Sequence, residues 1–416
     1  MINLPGIQYD WDDKMTVQPV TDNDAAKNKP DPKKCGDCLK SDSDESGLEI
    51  THHDDCLDEC AYAHYTNAVG QYIVNTLDIL IGSQHVDTLY GDFMFVHEEL
   101  CGKVGRRLLE MIGKRYTREE LIVDSHESRT LYVPLPFWYT LSSGSALPLA
   151  GLQFHSVRYQ LSHKGMNDII VVHHKPAKDA DGQEYRSTTS GWSGWTVCGD
   201  NGANGSGMSF DLLSTYVYLD DAERTAISNI QQESLIVQHQ RAVFTGNAND
   251  NRWDLQLPFN HPVIELIWFI RNKTRTDKTR DYYNLGSNFG RDPIKSATLK
   301  LNNQLRFGTE SGVGSNSSYF RLVQPYQAHS CIPDTFVYCY SFALHPEDTT
   351  TPSGSANFSR IDKAHLELFP MDEERTYTAA DGTTANNTDI YEVSVFATNW
   401  NIARLKAGLF GVAYSS

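Results

Sequence analysis

Apolar and polar residues alternate with a period of two at many places along the chain. Leu77, Ile79 and Ile81 share one face of such a segment. Ala297, Leu299 and Leu301 share one face of another, with Thr298 and Lys300 opposite. Trp253, Leu255, Leu257 and Phe259 alternate with Asp254, Gln256 and Pro258, while Leu366 and Leu368 flank Glu367, and Val393 and Val395 flank Ser394. In an extended strand successive side chains point to opposite faces, so each segment is suited to bury one face. That pattern predicts antiparallel sandwich sheets. The 21 Tyr, 17 Phe and 7 Trp fit pleated surfaces better than a helical bundle. Helical signals are confined to residues 92–112 (DFMFVHEELCGKVGRRLLEMI) and to DDAERTAI, which starts at Asp220. Both are expected as short helices between strands.

Two segments resemble each other. LDILIGSQ, beginning at Leu77, and ATLKLNNQ, beginning at Ala297, are each an alternating strand followed by a tight polar turn ending in Gln. Their spacing is about half the 416-residue chain, which fits two β-domains of similar build. The expected division is a first domain over 1–225, a linker over 226–238 and a second domain over 239–416. Residues 21–60 are polar, acidic and Cys-rich. Residues 175–210 are rich in Gly, Ser and Asn, and residues 374–388 in Thr and Asn. All three read as long loops, which are usually functional.

The 36 Lys and Arg against 53 Asp and Glu leave a net charge of −17. Nucleic acid is held by a basic stripe that replaces phosphate counterions, and no such stripe is visible, so direct nucleic-acid binding is not expected. The apolar run Leu266 to Ile270 is too short to cross a bilayer. The first twenty residues carry Asp10, Asp12 and Asp13 and lack an apolar core, so no signal peptide is read and a reducing compartment is expected.

In that compartment the eight Cys are expected as thiols or metal ligands. Cys35 and Cys38 form a C-x2-C pair, and Cys56 and Cys60 a C-x3-C pair. Four thiolates in two short pairs can close a tetrahedron around a structural Zn²⁺, with His52 and His53 as substitute ligands. Free thiols, or two disulfides, are the alternatives. Adjacent His173 and His174 would point to opposite faces of a strand, which makes them a poor chelating pair. The segment WSGWTVC from Trp192 has the outline of a thrombospondin-type repeat without its further Cys, and its two Trp are expected to pack a loop. No phosphate-cradling Gly loop, H-E-x-x-H pair, nucleophile elbow or dinucleotide fingerprint appears, so nothing proposes an enzyme.

Five stretches in order resemble the major capsid proteins of large nucleocytoplasmic DNA viruses, as in chlorella viruses and iridoviruses. They are LDILIGSQHVDTLYG (from Leu77), LYVPLPFWYTLSSGSALPLAGLQFHSVRY (from Leu131), YLDDAER (from Tyr218), LPFNHPVIELIW (from Leu257), and the region from Ser318 to the end. The last includes YFRLVQPYQ, FVYCYSFALHPE, PSGSANFSRIDKAHLEL and NWNIARLKAGLFGVAYSS. The resemblance implies an all-β double jelly roll: two eight-stranded antiparallel β-sandwiches with short inserted helices and long loops. It further implies a non-enzymatic protein that forms homotrimeric, pseudo-hexagonal capsomers tiling an icosahedral virion shell assembled in host cytoplasm. Implied partners are neighbouring capsomers and minor capsid or cement proteins, with the inner membrane touched only indirectly. A minor capsid paralogue at special lattice positions is the alternative within this class. A jelly-roll carbohydrate-binding module, using Trp192 and Trp195 as a platform, and a cupin-type metal enzyme are the alternatives outside it. Within the resemblance, Asn260-His261-Pro262 is expected as a turn with Asn260 able to take the left-handed conformation, and Arg321 and Arg360 as structural residues. The chain departs from the family at its start, MINLPGIQYDW, where the family has a Gly-rich and aromatic-basic segment, so either a truncated or divergent paralogue is expected, or other elements replace the early strands of the first sandwich.

Overall fold

The computed structural model describes residues 1–4, 62–102, 108–126, 128–173, 208–279, 282–286, 291–308, 315–372 and 384–414, with short strand backbones at 7–9, 177–178, 184–185, 188–189, 195–197 and 376–378. The first part of the chain holds an antiparallel sheet of β1 (Val74–Ile81), β2 (Gln84–Tyr90) and β3 (Val157–His163), in the order β2-β1-β3. Helix α1 (Gly91–Cys101) follows β2 directly. Helix α2 (Asp221–Asn229) is capped by Asp220, whose carboxylate accepts the Glu223 N–H at 2.7 Å, satisfying one of the free donors of the first turn.

The later strands are β4 (Gln232–Asn247), β5 (Trp253–Gln256), β6 (Pro262–Asn272), β7 (Ile294–Leu301), β8 (Gln304–Phe307), β9 (Val337–Ser341), β10 (Ala364–Pro370) and β11 (Ile390–Lys406). They form two sheets, β4-β11-β6-β9 and β5-β10-β7-β8, which face each other across a core containing Leu266, Trp268, Leu299 and Leu366.

The internal likeness seen in the sequence extends to the backbone. β1 and β2 pair with Ile81 opposite Gln84, and β7 and β8 pair with Leu301 opposite Gln304. The first hairpin breaks register between Ile79 and Leu80, the second between Leu299 and Lys300. On the other edges, β1 shifts against β3 between Val74 and Thr76, and β7 shifts against β10 between Ile294 and Ser296. Both irregularities recur at the same places in the two hairpins. Bulges bend and twist a strand in a defined way, so two matched pairs mark one structural unit used twice. The turns differ in chemistry. Gly82 supplies the positive φ in the first, and Asn302 and Asn303 supply it in the second.

The apolar run in β6 now has a cause. Leu266, Trp268 and Ile270 enter the later core, while Ile267 and Phe269 enter a second core with Phe93, Phe95 and Val96 from α1. A bulge between Val263 and Glu265 changes parity, so Ile264 joins the second core too. A sheet covered on both faces reads as a continuous hydrophobic run. The β4-β11-β6-β9 sheet is therefore the wall shared by the two parts of the chain.

Four expectations are corrected. The helix read over 92–112 is two pieces, because Gly102 turns extended after α1, its N–H still bonded to the Glu98 carbonyl; a helical turn resumes at Leu109–Ile112. Residues 226–238, expected as a linker, are the end of α2 and the first seven residues of β4. The stretch 175–210 contains strands as well as loop. Thr188–Thr189 pairs with Ile170–His173, Trp195–Val197 with Ile7–Tyr9, and Ser209–Phe210 with Ile2–Leu4. In the 260–262 turn it is His261 that adopts positive φ, because Gln240 clasps Asn260 through both its N–H and its carbonyl.

The buried strand Ile2–Leu4 also pairs with Arg129–Leu131, so the chain's first residues supply sheet structure to the first part. Gly91, at the β2-α1 corner, has no room for a Cβ, which would meet the Val74 and Gln71 carbonyl oxygens. Those oxygens belong to fixed backbone on two sides. Gly91→Ala is expected to destabilise the fold by about 3 kcal/mol, read as a lower urea midpoint with an unchanged slope.

Candidate assembly surface

Between the strand Ser209–Phe210 and α2 the chain runs from Asp211 to Asp220 without regular secondary structure. Both ends are anchored. The Asp211 N–H donates to the Met1 carbonyl at 2.9 Å, and Asp220 caps α2. Between the anchors, Leu212, Leu213, Tyr216, Val217 and Tyr218 all face solvent; Val217 is 80% exposed and Tyr218 93%. Leaving so much contiguous apolar area in water is unfavourable, and such patches mark interaction surfaces. The strap is thus built to be covered. The sequence signal was an apolar run, LLSTYVYL, that lacks alternation and stops at an acidic helix start.

Elsewhere the two parts of the chain are locked by buried ion pairs. Asp92 of α1 accepts from Arg271 of β6 at 3.0 Å and from Arg241 of β4 at 3.1 Å. Arg271 also reaches Glu392 of β11 at 3.3 Å and donates through Nε to the Tyr282 carbonyl at 2.9 Å. Burial alone would raise the Asp92 pKa; the Arg271 and Arg241 guanidiniums outweigh it and hold the carboxyl below its usual range. Asp87 of β2 adds a second lock. Its carboxylate accepts the His239 backbone N–H at 2.8 Å and lies 2.9 Å from the His239 Nδ1. These charges are surrounded by Phe93, Tyr283 and Phe396, and burial keeps the nearby His97 down to about 4.

The expected zinc ligands Cys35, Cys38, Cys56 and Cys60, the substitutes His52 and His53, and Trp192 and His174 all lie outside the described residues. His173 sits in a strand opposite Tyr62 and Thr188. Arg321 stacks its guanidinium 4.8 Å from the Phe336 ring, a packing role. Residues that sequence reading missed are Cys101, His329 and Glu347, whose ligand atoms lie within 4.8 Å of one another. Cys101 lies 228 residues before His329, so no spacing rule connects it to the other two.

A profile described as the large eukaryotic DNA virus major capsid protein matches residues 223–411, and one for the major capsid protein N-terminus matches residues 31–220. The major capsid protein of Pyramimonas orientalis virus is 30% identical over 386 residues, covering 86% of this chain and 81% of that protein. The chain belongs to the major capsid protein family of large eukaryotic DNA viruses. The major capsid protein of Paramecium bursaria Chlorella virus 1 is 29% identical and covers 83% of this chain. Among solved structures, PBCV-1 VP54 matches with a TM-score of 0.60 at 25% identity, covering 86% of this chain and 88% of its own. The Faustovirus major capsid protein shares the fold at a TM-score of 0.60 with only 10% identity, covering 83% of this chain and 74% of its own. The fold of this capsid protein is accordingly the double jelly roll. The strap runs into α2, close to where the two profiles meet, at residues 220 and 223.

Proposed function

We propose that this capsid protein is the shell-forming subunit of a virion, and that three copies close into a pseudo-hexagonal capsomer. Capsomers would then tile an icosahedral shell. The observation that carries the reading is the strap at 211–219, an apolar surface anchored at both ends and left uncovered among the described residues. Three copies of a two-sandwich chain present six similar lobes, and a closed ring buries the same patch on every subunit. The interlocked wall of β4, β6 and β11 supports this role, because a ring closes reproducibly only if the lobes within each subunit keep a fixed angle. We place the division between the two jelly rolls at α2. The family likeness supports a structural protein rather than an enzyme. The net charge of −17 fits contacts with other shell proteins, capsomers and cement or minor capsid proteins, rather than with the genome. The virion is the expected location, with assembly in host cytoplasm, and Cys35, Cys38, Cys56 and Cys60 are retained as proposed ligands of a structural zinc.

Light scattering of the purified chain, with negative-stain images of the same peak, tests the reading. A species of about three times 46.8 kDa with a hexagonal outline is expected. A single peak at the monomer mass across the micromolar range would overturn the homotrimer.

A further inference from the structure

We propose that Cys101 Sγ, His329 Nδ1 and Glu347 Oε1 form a divalent-cation site of zinc type that clamps α1 to the later sandwich. Cys101 is the last residue of α1. His329 follows the short helix Gln324–Ala328, and Glu347 lies in the turn region after β9. The fold alone brings them together. The Cys101 sulfur is 3.9 Å from His329 Nδ1, and the Glu347 oxygen is 3.4 Å from the same nitrogen. Tetrahedral zinc with bonds of about 2.3 Å to sulfur and about 2.0 Å to nitrogen and oxygen sets ligand separations of roughly 3.6 and 3.3 Å. The two spacings to His329 need only a small inward shift, and the sulfur and the carboxylate oxygen lie within 4.8 Å of each other.

An independent feature points the same way. The other ring nitrogen of His329, Nε2, lies 2.9 Å from Glu265 Oε2, and the His329 side chain is wholly buried. A carboxylate behind a histidine is the usual support of a metal-bound imidazole: it holds the proton on one nitrogen and turns the other toward the ion. Glu347 is oriented as well, since Ser330 donates to its two oxygens through its N–H at 2.6 Å and its hydroxyl at 2.5 Å. A sulfur, an imidazole and a carboxylate are a borderline donor set that suits zinc better than magnesium or calcium. Three protein ligands leave one coordination position for water. Glu347 is partly exposed, which gives an ion access from solvent, and a cavity of about 250 Å³ is lined by Gly102 and Ser330, the chain neighbours of Cys101 and His329. Binding one ion displaces two protons to solvent, the Cys101 thiol proton and the His329 Nδ1 proton that otherwise faces Glu347, and so frees the sulfur and the Nδ1 lone pair for the metal. This site shares no residue with the Cys35, Cys38, Cys56 and Cys60 set and does not depend on capsomer formation.

The test is metal counting on the full chain after chelation and reloading with Zn²⁺ or Co²⁺. Co²⁺ reports thiolate ligation through its near-ultraviolet charge-transfer band. Cys101→Ser is expected to bind one equivalent fewer than wild type, with native circular dichroism. A chain carrying Cys35→Ser, Cys38→Ser, Cys56→Ser and Cys60→Ser is expected to keep one equivalent and the band. Glu265→Gln is expected to weaken that equivalent by about 10- to 100-fold. Cys331→Ser, beside the site, is expected to retain it. The proposal is overturned if Cys101→Ser binds as many ions as wild type, or if the folded four-serine chain binds none. Should the four-serine chain not fold, the difference between Cys101→Ser and wild type decides alone.

Discussion

Replacing Val217 and Tyr218 together with aspartate is expected to yield a folded monomer that no longer forms capsomers. Both side chains stand almost wholly in water in the isolated chain, at 80% and 93% exposure, and belong to neither core. Exposed substitutions of that kind shift stability within about ±0.5 kcal/mol, so the circular dichroism spectrum and urea midpoint of the monomer should hardly move. The association should move greatly. A buried tyrosine anchor at an interface contributes about 2 kcal/mol or more, and an aspartate in its place must also be desolvated. A closed trimer contains three copies of the contact, so the loss is roughly 6 kcal/mol, or about four powers of ten in the assembly constant. Light scattering at matched concentrations reads it directly. A variant that remains trimeric with wild-type stability would remove the strap from the interface. The single change Tyr218→Phe, which keeps the ring, should assemble nearly as wild type does and so separates loss of apolar contact from loss of the hydroxyl.

How far the fold was legible depended on whether its cause was local. β1 and β7 were readable because alternation and turn chemistry are properties of a few neighbouring residues, and the paired hairpins carry even their bulges at matching positions. The capped start of α2 was readable for the same reason. β6 was visible as an apolar run, but burial of both its faces depends on α1 packing from a distant part of the chain, and no window around Leu266 contains Phe93. The break after Cys101 was missed because the helical pattern resumes beyond Gly102. His261 took the turn conformation expected of Asn260 because Gln240, twenty residues earlier, had already engaged Asn260. The ion-pair locks and the Cys101, His329 and Glu347 group were not legible at all. Asp92 and Arg271, and Cys101 and His329, are separated by well over a hundred residues, and a lone acidic or basic residue carries no sign of the neighbour that will neutralise it.

Arg271→Met is expected to destabilise the chain by about 4 kcal/mol at neutral pH, the scale seen when one member of a buried pair is removed. Arg271 is buried at the meeting of β6, β11 and α1, and its loss leaves Asp92 with Arg241 alone and Glu392 without its partner. Asp92→Leu alone should also destabilise, because it removes the carboxylate shared by Arg241 and Arg271 and leaves Arg271 with Glu392. The double variant should recover much of the loss, because two buried charges have been exchanged for apolar volume. The pH dependence gives an independent check. The folded state holds the Asp92 carboxyl below its ordinary value, so as acid is added the unfolded chain takes up that proton first. The stabilisation is therefore complete above the ordinary carboxylate value of about 3.9 and is lost as pH falls toward the lowered one. Urea unfolding at pH 7 and then at steps below pH 5 should show a steeper acid loss in wild type than in Asp92→Leu. Equal slopes would mean that Asp92 is not charged in the folded chain. If Arg271→Met instead unfolds like wild type, the lock contributes little. The angle between the two sandwiches would then rest on the Asp87–His239 pair and on apolar contacts such as those of Phe93, Phe269 and Phe396.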